Sequence, residues 1–151
     1  MKSNFLRQFA AAEQRLGRPP RVFVKFGGYH AMRGHSDTDV PAFANFLAEC
    51  GLSRGFALVN MMVDCAGGEA LDPRTNRAGP CEPYFGPHAV IGSMARPDRL
   101  TLIDLRPLRA QLNRMRDLDP LSRQTILACD YYLAIRDVRA ATPVASLPAA
   151  Q

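Results

Sequence analysis

The N-terminal residues repeat apolar side chains at helical spacing. One face of the helix would carry Phe5, Phe9, Ala12 and Leu16. Ser3 is a candidate N-cap, and Gly17 followed by Pro19 supplies a stop. We therefore predict an amphipathic helix over residues 1–19. Polar residues interrupt it too often for a secretory signal peptide, which needs a continuous apolar segment.

Two short apolar runs predict strands on either side of a second helix. Residues 22–26 and 56–63 are apolar on both faces, which suits buried parallel strands. Between them, residues 40–50 carry apolar side chains at helical spacing, and Gly51 can end that helix. A strand, a helix and a strand in this order imply a right-handed parallel crossover.

A long stretch rich in glycine and proline, residues 65–98, is expected to form a loop. Four further elements follow it along the chain. They are a strand over 100–105, a helix over 105–115, a short helix opening at Asp119-Pro120 and a strand over 131–135. We predict an α/β domain over residues 20–144, with flanking helices and a mostly parallel sheet of about four strands. A flexible tail over residues 145–151 would follow.

The composition is that of an ordinary folded protein. Hydrophobic residues make up 47% of the 151 residues and charged residues 22%, which excludes a fully disordered chain. The net charge is +5, but the arginines are scattered rather than gathered in a basic block, which argues against a nucleic-acid partner. No apolar run reaches the roughly 20 residues that span a bilayer. We therefore predict no membrane partner and a cytoplasmic location.

The cysteines lack the C-x-x-C spacing of a zinc or redox motif. Cys50 and Cys129 fall in apolar helical patterns and are expected to be free thiols. Cys65 and Cys81 bracket part of the long loop, so they are the pair to test for a disulfide. A reducing compartment would argue against that bond, and the sequence leaves both states open.

The best functional lead is KFGGYH at residues 25–30, where the first predicted strand ends in two glycines and a histidine. Ligands of α/β sheets usually bind beyond the carboxyl ends of the strands. His30 is therefore a candidate catalytic residue and metal ligand. Asp64 comes at the end of the second predicted strand and Asp104 near the end of the third, so both are expected on the same rim, with Asp64 as a second metal ligand. The alternatives are a histidine held by a backbone carbonyl and carboxylates that cap turns.

Four further residues are candidates for binding a substrate. They are Lys25, Tyr29, His88 and Arg106. Lys25 occupies a strand position that would be interior, where a cation needs an anionic partner or a route to solvent. Arg106 and Arg109 could hold an anion at a helix start, or they could form salt bridges with Asp104, Asp117 or Asp119. His88 could anchor a lid in the loop or be an ordinary loop histidine.

The order of short motifs resembles that of a known family. The motifs are KFGGYH at 25–30, IDLRPLR at 103–109, CDYYLAI at 129–135 and ATP at 141–143. Over residues 20–144, this order resembles the C-terminal half of proteins in the erythromycin esterase-like and Tiki-type superfamily. The resemblance implies a hydrolase-like site built from histidines and carboxylates at strand ends.

The histidine motif matches one branch of that superfamily. The Tiki-type branch carries Gly-x-x-His, which Gly27 to His30 satisfy as written, and there the resemblance implies a divalent metal. The esterase branch carries His-Asn-x-His, in which Gly27 and Gly28 replace the first histidine and the asparagine. The sequence therefore departs from the esterase pattern at two of its three defining positions.

A second family feature, a Glu-x-His-Gly stretch after an early strand, has no counterpart in this sequence. A histidine needs a carboxylate, another ligand or a positioned water before it can act. We therefore predict an incomplete half of a larger domain, which acts on a small molecule once a complementary N-terminal segment completes it. Such a half would expose an edge and self-associate. The alternative is a non-enzymatic module that binds a ligand or a protein.

Overall fold

A computed structural model describes residues 1–34, 41–72, 74–84, 90–96 and 99–141. The chain forms two compact units, unit 1 over Met1–Asn60 and unit 2 over Met61–Gln151. The helices are α1 (Lys2–Leu16), α2 (Gly28–Ala31), α3 (Phe43–Arg54), α4 (Val90–Ser93), α5 (Arg106–Arg109) and α6 (Pro120–Ala128). The strands are β1 (Met61–Cys65), β2 (Glu69–Asp72), β3 (Arg77–Pro80), β4 (Thr101–Asp104) and β5 (Tyr131–Ile135). Among the described helices, none has the length and apolar character needed to cross a membrane.

The predicted N-terminal helix is present as α1, and it ends where the sequence indicates. Gly17 adopts a left-handed conformation with a φ of 63°, and its N–H donates to the Glu13 carbonyl. Glycine suits this position because a Cβ would strain the conformation. The start of the helix differs from the prediction. Met1 is the N-cap, so Ser3 lies inside the first turn.

Unit 1 has a core of phenylalanine rings. Neighbouring ring centroids lie 4.9 to 6.4 Å apart in the set Phe5, Phe9, Phe26, Phe43, Phe46 and Phe56. The side chains of Phe9 and Phe43 are 7% and 5% exposed. Aromatic rings bury a large apolar area for each residue, so this cluster stabilises the packing of α1 against α3.

The strand predicted over residues 22–26 does not form. These residues have no regular secondary structure, and none of them makes a backbone–backbone hydrogen bond within the described part of the chain. Val22 and Phe23 are 51% and 88% exposed, whereas the ring centroid of Phe26 lies 4.9 Å from that of Phe43. A strand needs a neighbouring strand to satisfy its N–H and C=O groups, and no strand pairs with this segment in the described residues.

Unit 2 contains, in its described residues, a three-stranded sheet in the order β1-β5-β4. The strands predicted over 100–105 and 131–135 are confirmed as β4 and β5. The strand predicted over 56–63 forms later, as β1. The α/β class is confirmed, whereas this sheet is mixed, because β1 is parallel to β5 and β4 is antiparallel to it.

The direction of β4 follows from how the chain returns to β5. The N–H of Leu105, directly after β4, donates to the carbonyl of Asp130, directly before β5, at 2.9 Å. This bond places the end of one strand beside the start of the other, which is an antiparallel arrangement. The sequence pattern of β4 carries no information on that contact, so its direction could not be predicted.

Part of the predicted loop over residues 65–98 is a β-hairpin made of β2 and β3. In its turn, the Asp72 carboxylate accepts a hydrogen bond from the Arg74 N–H at 2.8 Å. Gly68 precedes the hairpin with a φ of 96°, and a Cβ there would clash with the backbone of Val138. Only glycine therefore allows the hairpin to approach the chain after β5 this closely.

A disulfide joins Cys65 at the end of β1 to Cys81, which follows β3. This result decides the question that the sequence left open. The bond closes a loop that contains the hairpin and ties it to the sheet. Within the described residues Cys50 and Cys129 take no part in a disulfide, as predicted.

The helices after β4 follow the prediction in part. The helix predicted over residues 105–115 is reduced to α5, which continues as successive tight turns that still bury Leu112 at 6% exposed. The short helix predicted at Asp119-Pro120 is confirmed as α6. The Asp119 side chain caps it by accepting a hydrogen bond from the Ser122 N–H at 2.8 Å.

Candidate functional site

His30 lies in α2 of unit 1 with its side chain exposed. Its backbone N–H donates to the Gly27 carbonyl at 3.0 Å, and its ring centroid lies 6.3 Å from that of Phe26 in an edge-to-face arrangement. Within the described residues, neither nitrogen of the imidazole has a hydrogen-bond partner. The phenylalanine cluster thus supports the ring from one side and leaves its nitrogen atoms available.

The other candidates around His30 are placed in part. Lys25 is exposed, so its ammonium group has the route to solvent that a strand position would have denied. Tyr29 lies in α2, and its side chain is outside the described part of the structure. His88 is also outside the described residues. Their roles in substrate binding stay predictions.

Asp64 is buried in β1, and each of its carboxylate oxygens accepts a hydrogen bond. Oδ1 accepts from the Tyr84 N–H at 3.0 Å, and Oδ2 accepts from the Tyr132 hydroxyl at 2.9 Å. Asp64 is 7% exposed and Tyr132 is 1% exposed. Burial raises the pKa of Tyr132, and the neighbouring carboxylate raises it further, so the hydroxyl remains a donor. The arrangement fixes the chain at Tyr84 against the sheet.

Arg106 forms a two-point ion pair with Asp104. Its Nε and Nη2 donate to the two carboxylate oxygens at 2.9 and 2.7 Å, and Nη2 also donates to the Tyr131 hydroxyl at 2.6 Å. The hydrogen bonds from Arg106 hold the pKa of Asp104 below its usual range. The salt-bridge alternative is therefore the observed arrangement, and substrate binding by Arg106 stays a prediction.

Asp64 and Asp104 lie at opposite ends of the sheet, so the expectation of one shared rim is wrong. Asp64 is opposite Ala134 of β5, whereas Asp104 is opposite Tyr131. Three residues along a strand correspond to about 10 Å. The antiparallel direction of β4 causes this separation. His30 belongs to unit 1, and both carboxylates belong to unit 2.

The chain matches no known protein family, no curated protein and no solved structure. Its chemistry must therefore be argued from its own residues. Among the described residues, no group of three or more histidine, cysteine, aspartate or glutamate side chains is placed to hold a metal ion. An open cavity of about 400 Å³ in unit 1 is lined by Leu16, Arg18, Pro20 and Arg21, none of which was a predicted site residue.

Arg109 joins α5 to the end of α6 and to the residue before β5 through three hydrogen bonds. Its guanidinium donates to the carbonyls of Ile126 and Cys129 at 2.9 and 2.6 Å, and to the Asp130 carboxylate at 2.9 Å. Asp130 is 6% exposed, so this contact neutralises a buried charge. The sequence offered other acidic partners for Arg109 and missed Asp130, because the contact depends on how α6 returns to the sheet.

The candidate residues thus differ in whether their polar groups remain available to bind a ligand. Asp64 and Arg106 already contact donors or acceptors of unit 2, whereas His30 and Lys25 present exposed groups that can accept a proton or attract an anion. The sequence analysis did not single out Tyr132, which holds Asp64. The sequence did carry a signal for this residue, because β5 begins with two consecutive tyrosines. Adjacent residues of a strand face opposite sides of a sheet, so the two tyrosines have different surroundings.

Proposed function

We propose that the chain is a hydrolase-related domain of the erythromycin esterase-like and Tiki-type kind, with His30 as its reactive group and a small molecule as its substrate. The observation that carries this proposal is the exposed imidazole of His30, which follows two glycines and rests against Phe26. A neutral imidazole can accept a proton from an attacking water, which is the role of a general base in hydrolysis. The exposed ammonium group of Lys25 would attract an anionic part of the substrate.

His30 needs a group that orients its ring before it can act. Within the described residues no carboxylate or second histidine bonds to it, so another segment would supply that group. The same complementary segment would extend the three-stranded sheet into a larger and mostly parallel one. We propose no metal-dependent step, because both carboxylate oxygens of Asp64 already accept hydrogen bonds and the described residues contain no cluster of three ligands.

The test is hydrolysis of an activated aryl ester by the full chain, alone and mixed with any polypeptide from a neighbouring reading frame that carries Glu-x-His-Gly. We expect His30→Gln to lower the rate of the active mixture by at least about a hundred-fold, the scale of a lost general base. The matched control is His35→Gln, which removes a histidine that follows His30 five residues later in the sequence and should leave the rate unchanged. Equal rates for the wild type and His30→Gln in every mixture would refute the proposal.

The second candidate function is a non-enzymatic binding module. It is favoured by one observation: the charged groups of Asp64 and Arg106 already serve contacts within unit 2. A binding module would show saturable ligand binding, followed by calorimetry, that weakens in Lys25→Gln and His30→Gln. It would show no turnover with any added segment, which separates it from the hydrolase proposal.

The cytoplasmic location and the absence of membrane and nucleic-acid partners stay predictions. The disulfide between Cys65 and Cys81 is of a kind that persists mainly in oxidising compartments. Thiol labelling of the chain taken directly from cells would show whether this pair is oxidised there.

A further inference from the structure

Residues 21–26, with the sequence RVFVKF, have the composition of a strand but no strand beside them. Valine and phenylalanine favour extended backbone, and in the described structure the segment makes no backbone–backbone hydrogen bond. Its N–H and C=O groups are therefore available to a partner strand. Pro20 and Gly27 bound the segment, because proline lacks an N–H and the helix α2 begins after Gly27.

The side chains of this segment also present an unpartnered surface. Phe23 is 88% exposed and Val22 is 51% exposed. At the other end Phe26 is fixed, since its ring packs against Phe43 of the aromatic core. The segment thus combines free hydrogen-bonding groups with exposed apolar side chains and an anchor, which are the features of an edge strand open to pairing.

We propose that residues 21–26 pair antiparallel with the same residues of a second copy of this chain, forming a two-fold dimer. In a symmetric antiparallel pair, the two-fold axis passes through one residue and its counterpart. An axis at Val24 places Val22 opposite Phe26 and Phe23 opposite Lys25. The first pair is apolar, and the second brings an ammonium group to an aromatic ring, which is favourable.

The charges select this register over its neighbour. An axis at Phe23 would place Arg21 directly opposite Lys25, and like charges opposite each other destabilise a strand pair. The Val24 register opposes no two cations. A second copy of this chain fits the segment because the segment's own pattern is self-complementary in this register. It does not depend on the chemistry of His30.

The interface is short, so the dimer is expected to be weak. An isolated pair of strands is only marginally stable in water. Phe26 is already fixed in the aromatic core, which lowers the entropy lost on ordering at that end of the segment and not at the other. The full chain should therefore pass from monomer to dimer between about 5 and about 500 µM in sedimentation velocity. Over the same range, hydrogen exchange at residues 21–26 should slow as the dimer fills.

Three variants test the contact. We take Val24 opposite Val24 as a non-hydrogen-bonded pair, so that the Phe23 N–H of one copy donates to the Lys25 carbonyl of the other. Phe23→Pro removes this donor and should raise the dissociation constant at least about ten-fold. Phe23→Gln tests the side chain and should weaken the dimer less. Leu52→Gln is the matched control, because Leu52 is also 88% exposed but lies in α3, and the variant should dimerise like the wild type.

Several outcomes would overturn the proposal. If the chain stays monomeric at every concentration, the dimer does not exist and the proposal is wrong. Any strand that pairs with residues 21–26 would then belong to a different protein. Protection of residues 21–26 that does not change with concentration would mean pairing within one chain. A dimer that Phe23→Pro leaves equally strong, or that Leu52→Gln weakens as much, would place the interface elsewhere.

Discussion

In unit 1 the core is a cluster of phenylalanine rings, whereas unit 2 is held by a sheet, a disulfide and polar contacts to buried charges. Apolar packing is non-directional and needs no hydrogen bonds from charged groups. Charged side chains of unit 1 such as Lys25 therefore remain exposed at the surface. In unit 2 the hydrogen bonds are directional, and they occupy Asp64, Arg106 and Arg109.

Residue type and position along a strand are therefore not enough to make a functional group available. Asp64 and His30 were both candidate metal ligands in the sequence, since both follow apolar runs. The structure gives Asp64 two donors and leaves the His30 imidazole exposed. We therefore expect the reactive group of this chain in unit 1, where the packing leaves a polar side chain available.

The largest effect should come from the aromatic core of unit 1. Phe43→Ala removes a ring that is 5% exposed and should lower the free energy of unfolding by about 3 to 5 kcal/mol. Urea unfolding followed by circular dichroism measures it. Leu52→Ala, at an exposed site, should change stability by less than about 0.5 kcal/mol. A loss below about 1 kcal/mol for Phe43→Ala would show that the ring cluster does not stabilise unit 1.

Removing the disulfide should be the next largest change. The bond joins cysteines 16 residues apart, and a loop of about this length corresponds to about 3 kcal/mol of stability. We expect Cys65→Ser with Cys81→Ser to speed hydrogen exchange mainly in the hairpin β2–β3. Cys50→Ser, which removes a free thiol, is the control. Unchanged exchange in the hairpin would contradict the proposed role of the bond in holding it to the sheet.

The two arginines of α5 should differ in their contribution to unit 2. Arg109→Met removes three hydrogen bonds and leaves the buried Asp130 without that cation, so we expect a loss of about 2 to 3 kcal/mol. Arg106→Met breaks an exposed pair and should cost much less. Urea unfolding of both variants measures the difference. Equal losses of unfolding free energy in the two variants would show that the Arg109 contacts stabilise unit 2 no more than the exposed Arg106 pair does.

The smallest effect should be a pH dependence at Asp104. Hydrogen bonds from Arg106 lower the pKa of Asp104 in the folded state, so its contribution to stability is complete above the unfolded pKa of about 3.9 and is lost as the pH falls through the lower folded value. The melting temperature of the wild type should therefore exceed that of Asp104→Asn near pH 6. The gap should narrow in melts below about pH 4. A gap that stays constant to pH 2 would exclude this linkage.

The sequence predicted the elements that depend on local signals. Residues 131–135 and the helix opening at Asp119-Pro120 were placed correctly, because a short apolar run and a cap with proline act within a few residues. The same kind of apolar run at 22–26 gave a wrong strand. Strand formation there depends on a neighbour that the run itself does not specify.

The candidate site was predictable only as a set of residue types. The sequence named His30, Asp64 and Arg106, but it could not say which of them keeps its polar atoms available. For Asp64 that depends on Tyr132, which lies 68 residues further along the chain and contacts it from a neighbouring strand, and no local pattern encodes such a contact. The Arg106 pair with Asp104 spans only two residues, so the sequence offered it as an alternative but could not choose it over anion binding.

Local sequence signals were enough to predict the α/β class, the apolar face of α1, the end of that helix at Gly17 and the start of α6 at Asp119-Pro120. These features depend on hydrogen bonds and side-chain spacing within one or two turns of chain. Only the tertiary structure decided the direction of β4, the pairing of Cys65 with Cys81 and the burial of the Asp64 carboxylate. Each of these joins residues far apart in sequence, so each is fixed by how the whole chain packs and not by the segment that contains it.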